Sequence, residues 1–207
     1  MTVRGTRAGE RRSARGGGSS RWLRLLAPDE VAQRVADINL AALRERGIEG
    51  IVVDVDNTLV PWGSCEMDSA TEAWVQRAKQ DFSVCLLSNS VRGRRVRRLA
   101  ARLGVPGVSA WGVGRKPLAG GFLRALRTTH STPEKAAMIG DQLLADVLGG
   151  NRCGMYTIWV KLISEHEFIG TRLARVIERR CARKLRASGL LRDGGALAGG
   201  GSPGHED

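Results

Sequence analysis

Aromatic side chains are scarce in this chain: five Trp, three Phe and one Tyr make up 4% of 207 residues. No run of Tyr or Phe interleaves with Arg, so the stacking platforms that grip unpaired bases are missing. Long apolar runs are missing too, and no stretch approaches the roughly 20 apolar residues of a membrane-crossing helix. Cysteine is sparse. Cys65, Cys85, Cys153 and Cys181 are widely spaced with no CxxC pair, which argues against a zinc or disulfide framework. Cys85 sits in an apolar run and reads as core packing in a reducing compartment. His130, His166 and His205 are scattered, and no Ser/His/Asp set is suggested by spacing. Gly112 to Pro117 lacks the Ser/Thr after Lys116 that a nucleotide-binding P-loop requires. Arg11-Arg12 is followed by a Gly/Ser/Arg-rich stretch rather than an apolar one, so a twin-arginine signal is not supported. An organellar transit peptide stays open, and a cytoplasmic protein, peripheral on the inner face of a membrane if bound there, is the simpler reading.

What is abundant is positive charge, +12 in total, and its location matters more than its size. Residues 1–25 hold seven Arg against Glu10, and from Arg172 onward eight Lys/Arg face four acids, so the middle is left near +2. Basic ends of this kind attract polyanions, either anionic lipid surfaces or nucleic acid. As solvated arms they would only aid solubility. The expected organisation is a disordered basic arm over 1–20, one domain over 21–187, and a disordered Gly-rich tail over 188–207.

The domain reads as alternating strands and helices. Pro28-Asp29-Glu30 with Val31, Val35, Ile38, Leu40 and Leu43 suggests two short helices before Gly47. Strands are expected in the apolar run from Gly50 that ends in the carboxylates Asp54 and Asp56, and at Phe82–Leu87, Val108–Val113, Ala136–Ile139 and Met155–Val160. Helices are expected at Ala70–Gln80, Val91–Leu103, Leu118–Thr129 and Gln142–Leu148, the last stopped by Gly149-Gly150. A basic helix over Thr171–Ala187 carries Leu173, Val176, Ile177, Cys181 and Leu185 on one stripe, for its own sheet or for a membrane surface. This alternation implies right-handed βαβ units and a doubly wound, Rossmann-like parallel α/β sheet of about five strands.

The first strand ends in Asp54-Val55-Asp56-Asn57-Thr58. Side chains two apart on a strand share a face, so Asp54 and Asp56 can both enter the crevice at the strand's carboxyl end, where open parallel sheets bind ligands. Alone, the pair fits a strand running into an Asx-type turn. Further along stand Ser88-Asn89, Lys116-Pro117, and Gly140-Asp141 with Asp146. In this order the four clusters resemble the haloacid-dehalogenase (HAD) superfamily of phosphohydrolases, and more closely its YqeG-type branch, whose members are phosphatidylglycerophosphatase-like. The resemblance covers about residues 25 to 187.

The resemblance implies an Mg²⁺-dependent phosphoric monoester hydrolase. Asp54 is then the nucleophile that forms an aspartyl-phosphate, and Asp56 the general acid and base. It also assigns Asp54, the backbone carbonyl of Asp56, and Asp141 to the ion. Asp146 would act from behind them, though its spacing equally fits a helix-surface acid. Phosphoryl oxygens need donors. The Ser88 hydroxyl, the Asn89 backbone N–H at a helix start and the Thr58 hydroxyl are placed to serve. Lys116, a solvated loop lysine if taken by itself, gains from its place between the second and fourth clusters the role of fixed positive charge.

About 30 residues separate Asp56 from Ser88, filled by a helix and strand that the core itself needs, so no cap domain fits. An uncapped site suits a phosphate presented by a large body. Three functions follow: hydrolysis of phosphatidylglycerophosphate to phosphatidylglycerol at an anionic membrane, hydrolysis of a soluble or protein-borne phosphomonoester, and an RNA- or ribosome-associated binding role on the same scaffold.

Overall fold

The computed structural model describes residues 19–90, 93–161 and 172–191. The basic arm before residue 19 and the tail from residue 192 lie outside the described residues, as does Arg92.

Six parallel strands form one sheet: β1 (Glu30–Ala32), β2 (Gly50–Val53), β3 (Ser83–Ser88), β4 (Gly107–Ser109), β5 (Ala136–Gly140) and β6 (Tyr156–Val160). Their order is β1-β6-β5-β2-β3-β4. From β2 the chain moves outward through β3 to β4, then returns to lay β5 on the other side of β2. Val53 pairs with Ile139 there. The reversal of strand order falls between β2 and β5, where the connections leave in opposite directions and a crevice opens at the carboxyl ends.

Helices cover both faces because the central strands are apolar on both. Ile51, Val53, Val84, Leu86, Ala137 and Ile139 face one layer, where Trp74, Val75 and Ala78 of α3 (Ser69–Asp81) meet Val96, Leu99 and Leu103 of α4 (Gly93–Leu103). The intervening residues Val52, Cys85, Leu87 and Met138 face the other layer, against Phe122, Ala125 and Leu126 of α5 (Ala119–Thr128). Buried Trp74 donates its indole N–H to the Ile38 carbonyl at 2.9 Å, which ties the segment before β2 to α3. The described cysteines are all free, with Cys85 buried in the core.

Three segments depart from the sequence reading, the first being the strand expected over Val108–Val113, which ends at Ser109 and gives way to a 3₁₀ turn at Gly112–Gly114. Within the stretch expected to start a helix at Pro28, Glu30–Ala32 is strand instead, and it supplies the sixth strand. Asp29 fixes it, because its carboxylate accepts from the Thr157 backbone N–H at 2.8 Å and the Thr157 hydroxyl at 3.1 Å. Only a 3₁₀ turn (Val35–Asp37) and α2 (Leu40–Glu45) remain helical. Gly149 and Gly150 do not stop a helix either. A turn of π-helix, Leu143–Val147, runs on through them as α6 (Leu148–Cys153), and Gly154 at φ 81° ends it. Glycine is needed inside α6, since a methyl group at Gly150 would press on Thr157 and Met138 at 2.7 and 3.1 Å.

The last helix, α7 (Arg172–Ala187), buries Cys181, Ala182 and Leu185 with Leu143, Val147 and, from α1 (Ser19–Leu25), Leu23. Ile177, expected on that stripe, is exposed. Leu173 and Val176 have side chains outside this description. No described helix is long and apolar enough to cross a membrane.

Candidate active site

Asp54 is the residue after β2, and its N–H donates to the Ile139 carbonyl at 2.8 Å, so it sits at the rim beside the end of β5. The chain then turns back on itself. Asn57 takes a left-handed conformation (φ 62°), which Asn tolerates better than most residues, and its side-chain oxygen accepts from the Trp62 N–H at 3.1 Å. That turn carries Thr58 beneath the strand end, where its hydroxyl donates to Asp54 Oδ2 at 3.3 Å.

Lys116 arrives from the loop after β4. Its ammonium donates to Asp54 Oδ1 at 2.5 Å, to Asp146 Oδ1 at 2.6 Å and to the Leu87 carbonyl at 3.1 Å. Lysine, Asp54 and Asp146 are all buried. Buried pairs of this kind hold only where geometry and further hydrogen bonds offset desolvation, and Asn89 helps to provide that. Its side-chain oxygen accepts from the Lys116 N–H at 2.8 Å and its amide donates to the Lys116 carbonyl at 3.1 Å. Asn89 thus clamps the lysine's backbone from both sides, a part that its expected backbone donation did not reveal. Ser88 is buried, and its hydroxyl accepts from the Ser90 N–H at 3.1 Å.

Asp141 and Asp146 come from the end of β5. Regular α-helical winding would turn a residue five on from Asp141 to a different face. The wider π turn brings it back, through the Val147 N–H to the Gln142 carbonyl at 3.3 Å and the Leu148 N–H to the Leu143 carbonyl. Such turns recur at functional sites. Asp146 Oδ2 accepts from the Gln142 N–H at 3.1 Å, and a side chain on Gly140 would overlap its carboxylate. Behind the turn, buried Glu178 of α7 accepts from the Leu144 N–H at 3.3 Å. Nothing in the spacing of α7 signalled that carboxylate.

The result is three buried carboxylates, Asp54, Asp141 and Asp146, with oxygens all within 4.8 Å of one another, against one buried ammonium. Burial drives the Asp54 carboxyl up to about 7, with Asp146 adding to the rise and Lys116 opposing it. Burial works against the Lys116 charge, but Asp146 and Asp54 outweigh it and hold the ammonium well above the usual lysine range. The donor set is all oxygen and short of positive charge, which suits a hard divalent cation.

Asp56 behaves differently. Its carboxylate stands outside the three-acid cluster and is half-buried against Arg95 of α4, whose guanidinium pairs with Asp56 Oδ1 and donates to the Ser64 carbonyl at 2.7 Å. The Gly63 N–H also donates to Asp56 Oδ1, at 3.2 Å. The structure therefore gathers Asp54, Thr58, Asn89, Lys116, Asp141 and Asp146 by direct contact or mutual proximity. Ser88 and Asp56 stand at the same sheet end. Arg95 is the member that sequence reasoning left undecided among Arg92, Arg94 and Arg95 as residues for the site mouth.

A doubly wound parallel sheet with these groups at its switch point defines a phosphomonoester hydrolase of the HAD class, and residues 113–162 match the HAD-hydrolase-like family model. The chain belongs to the YqeG family of these phosphatases. It is 36% identical over 165 residues to "Probable phosphatase YqeG" of Bacillus subtilis (strain 168), an alignment covering 79% of this chain and 94% of that protein. It is also 31% identical to the chloroplastic phosphatidylglycerophosphate phosphatase 1 of Chlamydomonas reinhardtii, over 74% of this chain and 60% of that protein. Among solved structures, a HAD phosphatase from Thermococcus onnurineus aligns with 59% of this chain and 90% of its own at 14% identity and a TM-score of 0.44.

Proposed function

We propose that this enzyme hydrolyses phosphatidylglycerophosphate to phosphatidylglycerol with Mg²⁺ as cofactor and Asp54 as nucleophile. The observation that carries the chemistry is the Asp54 carboxylate held 2.5 Å from the Lys116 ammonium and within 4.8 Å of two further buried acids. Asp54, Asp141 and Asp146 would hold the ion, with the Asp56 carbonyl as a further oxygen. Bound there, Mg²⁺ supplies charge neutralisation that phosphoryl transfer between anions demands.

The remaining steps fall to the chain's own groups. An Asp54 oxygen attacks phosphorus in line, the phosphorus–oxygen bond to the glycerol breaks, and the departing oxygen takes a proton from the Asp56 carboxyl. Asp56 then removes a proton from water, whose oxygen attacks the aspartyl-phosphate and releases inorganic phosphate and Asp54. Lys116, fixed by Asn89, keeps Asp54 aimed and offsets its charge. Thr58, Ser88 and the Asn89 backbone remain the candidate donors for the phosphoryl oxygens. Because Asp56 is paired with Arg95, its acid role requires that this pair part as the leaving group arrives.

The choice of substrate rests on two supports. Among the described residues no inserted domain stands over the strand ends, since β2 connects to β3 through α3 alone and β3 to β4 through α4 alone. The likeness to the Chlamydomonas enzyme supplies the lipid. The test is phosphate release from phosphatidylglycerophosphate in detergent micelles with Mg²⁺, beside a panel of soluble and peptide-borne phosphomonoesters. The lipid is expected at the top of the ranking; a ranking with the lipid last would overturn the substrate assignment.

A further inference from the structure

The loops that carry the site also carry the most exposed large apolar side chains of the catalytic face. Trp111 is 64% exposed, Trp62 50% and Leu118 47%. Trp62 follows the turn after Asp56, with its N–H held by Asn57. Trp111 follows β4, and a 3₁₀ turn from Gly112 to Gly114 leads from it toward Lys116. Leu118 lies two residues beyond Lys116, its N–H donating to the Arg115 carbonyl at 2.8 Å. All three positions therefore stand at the carboxyl end of the sheet, on the connections that follow β2 and β4, the half of the sheet that carries Asp54 and Lys116.

A folded chain exposes single apolar residues freely, but indoles grouped around one opening mark an interaction surface. Its chemistry points to a bilayer rather than a peptide. Tryptophan settles at the headgroup level, where one part of the ring is dry and the other wet. Exposed Arg94 at the start of α4, exposed Arg115 and exposed Lys161 after β6 lie on the same end of the sheet, against exposed Glu66 and Asp68 on the loop after Trp62. Basic side chains beside an apolar fringe are what an anionic leaflet attracts. The basic helix α7 has spent Cys181, Ala182 and Leu185 on the protein's own core, which leaves Ile177 as the large apolar side chain it exposes among its described residues.

We infer that Trp62, Trp111 and Leu118 form a rim that seats the open site on an anionic phospholipid bilayer, so that a headgroup phosphate meets Asp54 without leaving the interface. This deepens the phosphatidylglycerophosphate reading and depends on it only for the identity of the lipid. A second exposed apolar pair, Trp22 and Leu25, belongs to α1 and serves as the internal control, since Asn151 of α6 holds the Leu25 carbonyl at 2.9 Å away from the loops of the site.

The test is co-sedimentation of the full chain with vesicles of phosphatidylcholine and phosphatidylglycerol, followed by rates on vesicle-borne and on soluble phosphomonoester. Trp62→Ser with Trp111→Ser should weaken vesicle binding by about tenfold or more and lower the ratio of vesicle to soluble rate, while Trp22→Ser binds like the unaltered chain. If the double variant fails to fold, judged by its thermal midpoint, Trp111→Ser with Leu118→Ser replaces it. Vesicle binding kept by the rim variants, lost in Trp22→Ser instead, or never seen in the unaltered chain overturns the inference. An enzyme that binds vesicles through the rim yet leaves phosphatidylglycerophosphate intact in detergent upholds the rim and removes the lipid assignment. One that cleaves this lipid in detergent but ignores vesicles does the reverse.

Discussion

Positive charge is used in two opposite ways in this enzyme. Along α7, Arg179, Arg180, Arg183, Lys184 and Arg186 are exposed and surround an apolar stripe that packs inward. At the switch point a single ammonium, Lys116, is buried among three carboxylates. Water screens the first group, so each charge contributes little to stability. Removing the second leaves buried carboxylates without a counter-charge, which costs about 3–5 kcal/mol because no water is there to replace it. Number of charges and consequence of charge are therefore inversely related here, and substitutions should separate the two regions sharply.

The largest effect is expected at Asp54. Asp54→Asn keeps the shape and removes the nucleophile, and phosphate release should fall by roughly ten-thousand-fold in a steady-state assay. Lys116→Met comes next. It leaves Asp54 and Asp146 facing each other without a cation, so denaturant unfolding should show a loss of about 3–5 kcal/mol, and turnover should drop by about a hundredfold or more. Gly140→Ala pushes on the Asp146 carboxylate and should cost about 1–3 kcal/mol in the same measurement.

A smaller, pH-dependent effect follows from Asp54. Its folded-state carboxyl titrates near 7, above the ordinary value of 3.8. Between those values the folded chain binds more protons than the unfolded one, so stability is lost as pH rises through the window. In chelator-treated protein the slope from this group approaches about 1.4 kcal/mol per pH unit at most, and Asp54→Asn should flatten it. Lys116 has the opposite charge type but the same sign. Its raised value gives stability that is complete below the ordinary lysine range and is lost only as pH climbs above it. The smallest effect is expected on α7, where Arg179→Gln with Arg183→Gln should move stability by no more than about 0.5 kcal/mol. A large loss there would break the contrast between the two regions.

The sheet was legible because its central strands are short apolar runs closed by Asp54, Ser88 and Gly140-Asp141, a pattern that survives without knowledge of the tertiary structure. What escaped depended on partners far away in the chain. Glu30–Ala32 became an edge strand because Asp29 finds Thr157, and no local signal overrides the helix-like start of that segment. Asp146 looked like either a buried acid or a surface one, and the choice turned on a π turn whose extra residue per winding leaves no mark in the sequence. Asn89 was expected to act through its backbone, whereas its side chain clamps Lys116 across 27 residues. Arg95 was one arginine among many until the structure paired it with Asp56.

Acid-quenched mass spectrometry of the Asp56→Asn enzyme, mixed rapidly with phosphatidylglycerophosphate in detergent and Mg²⁺, asks directly which atom attacks phosphorus. A phosphoryl group found on the peptide at Asp54, and missing when Asp54 is also replaced by Asn, is the predicted result. Substrate turnover with the phosphoryl group on a different residue, or with transfer straight to water while Asp54 stays unmodified, would contradict it.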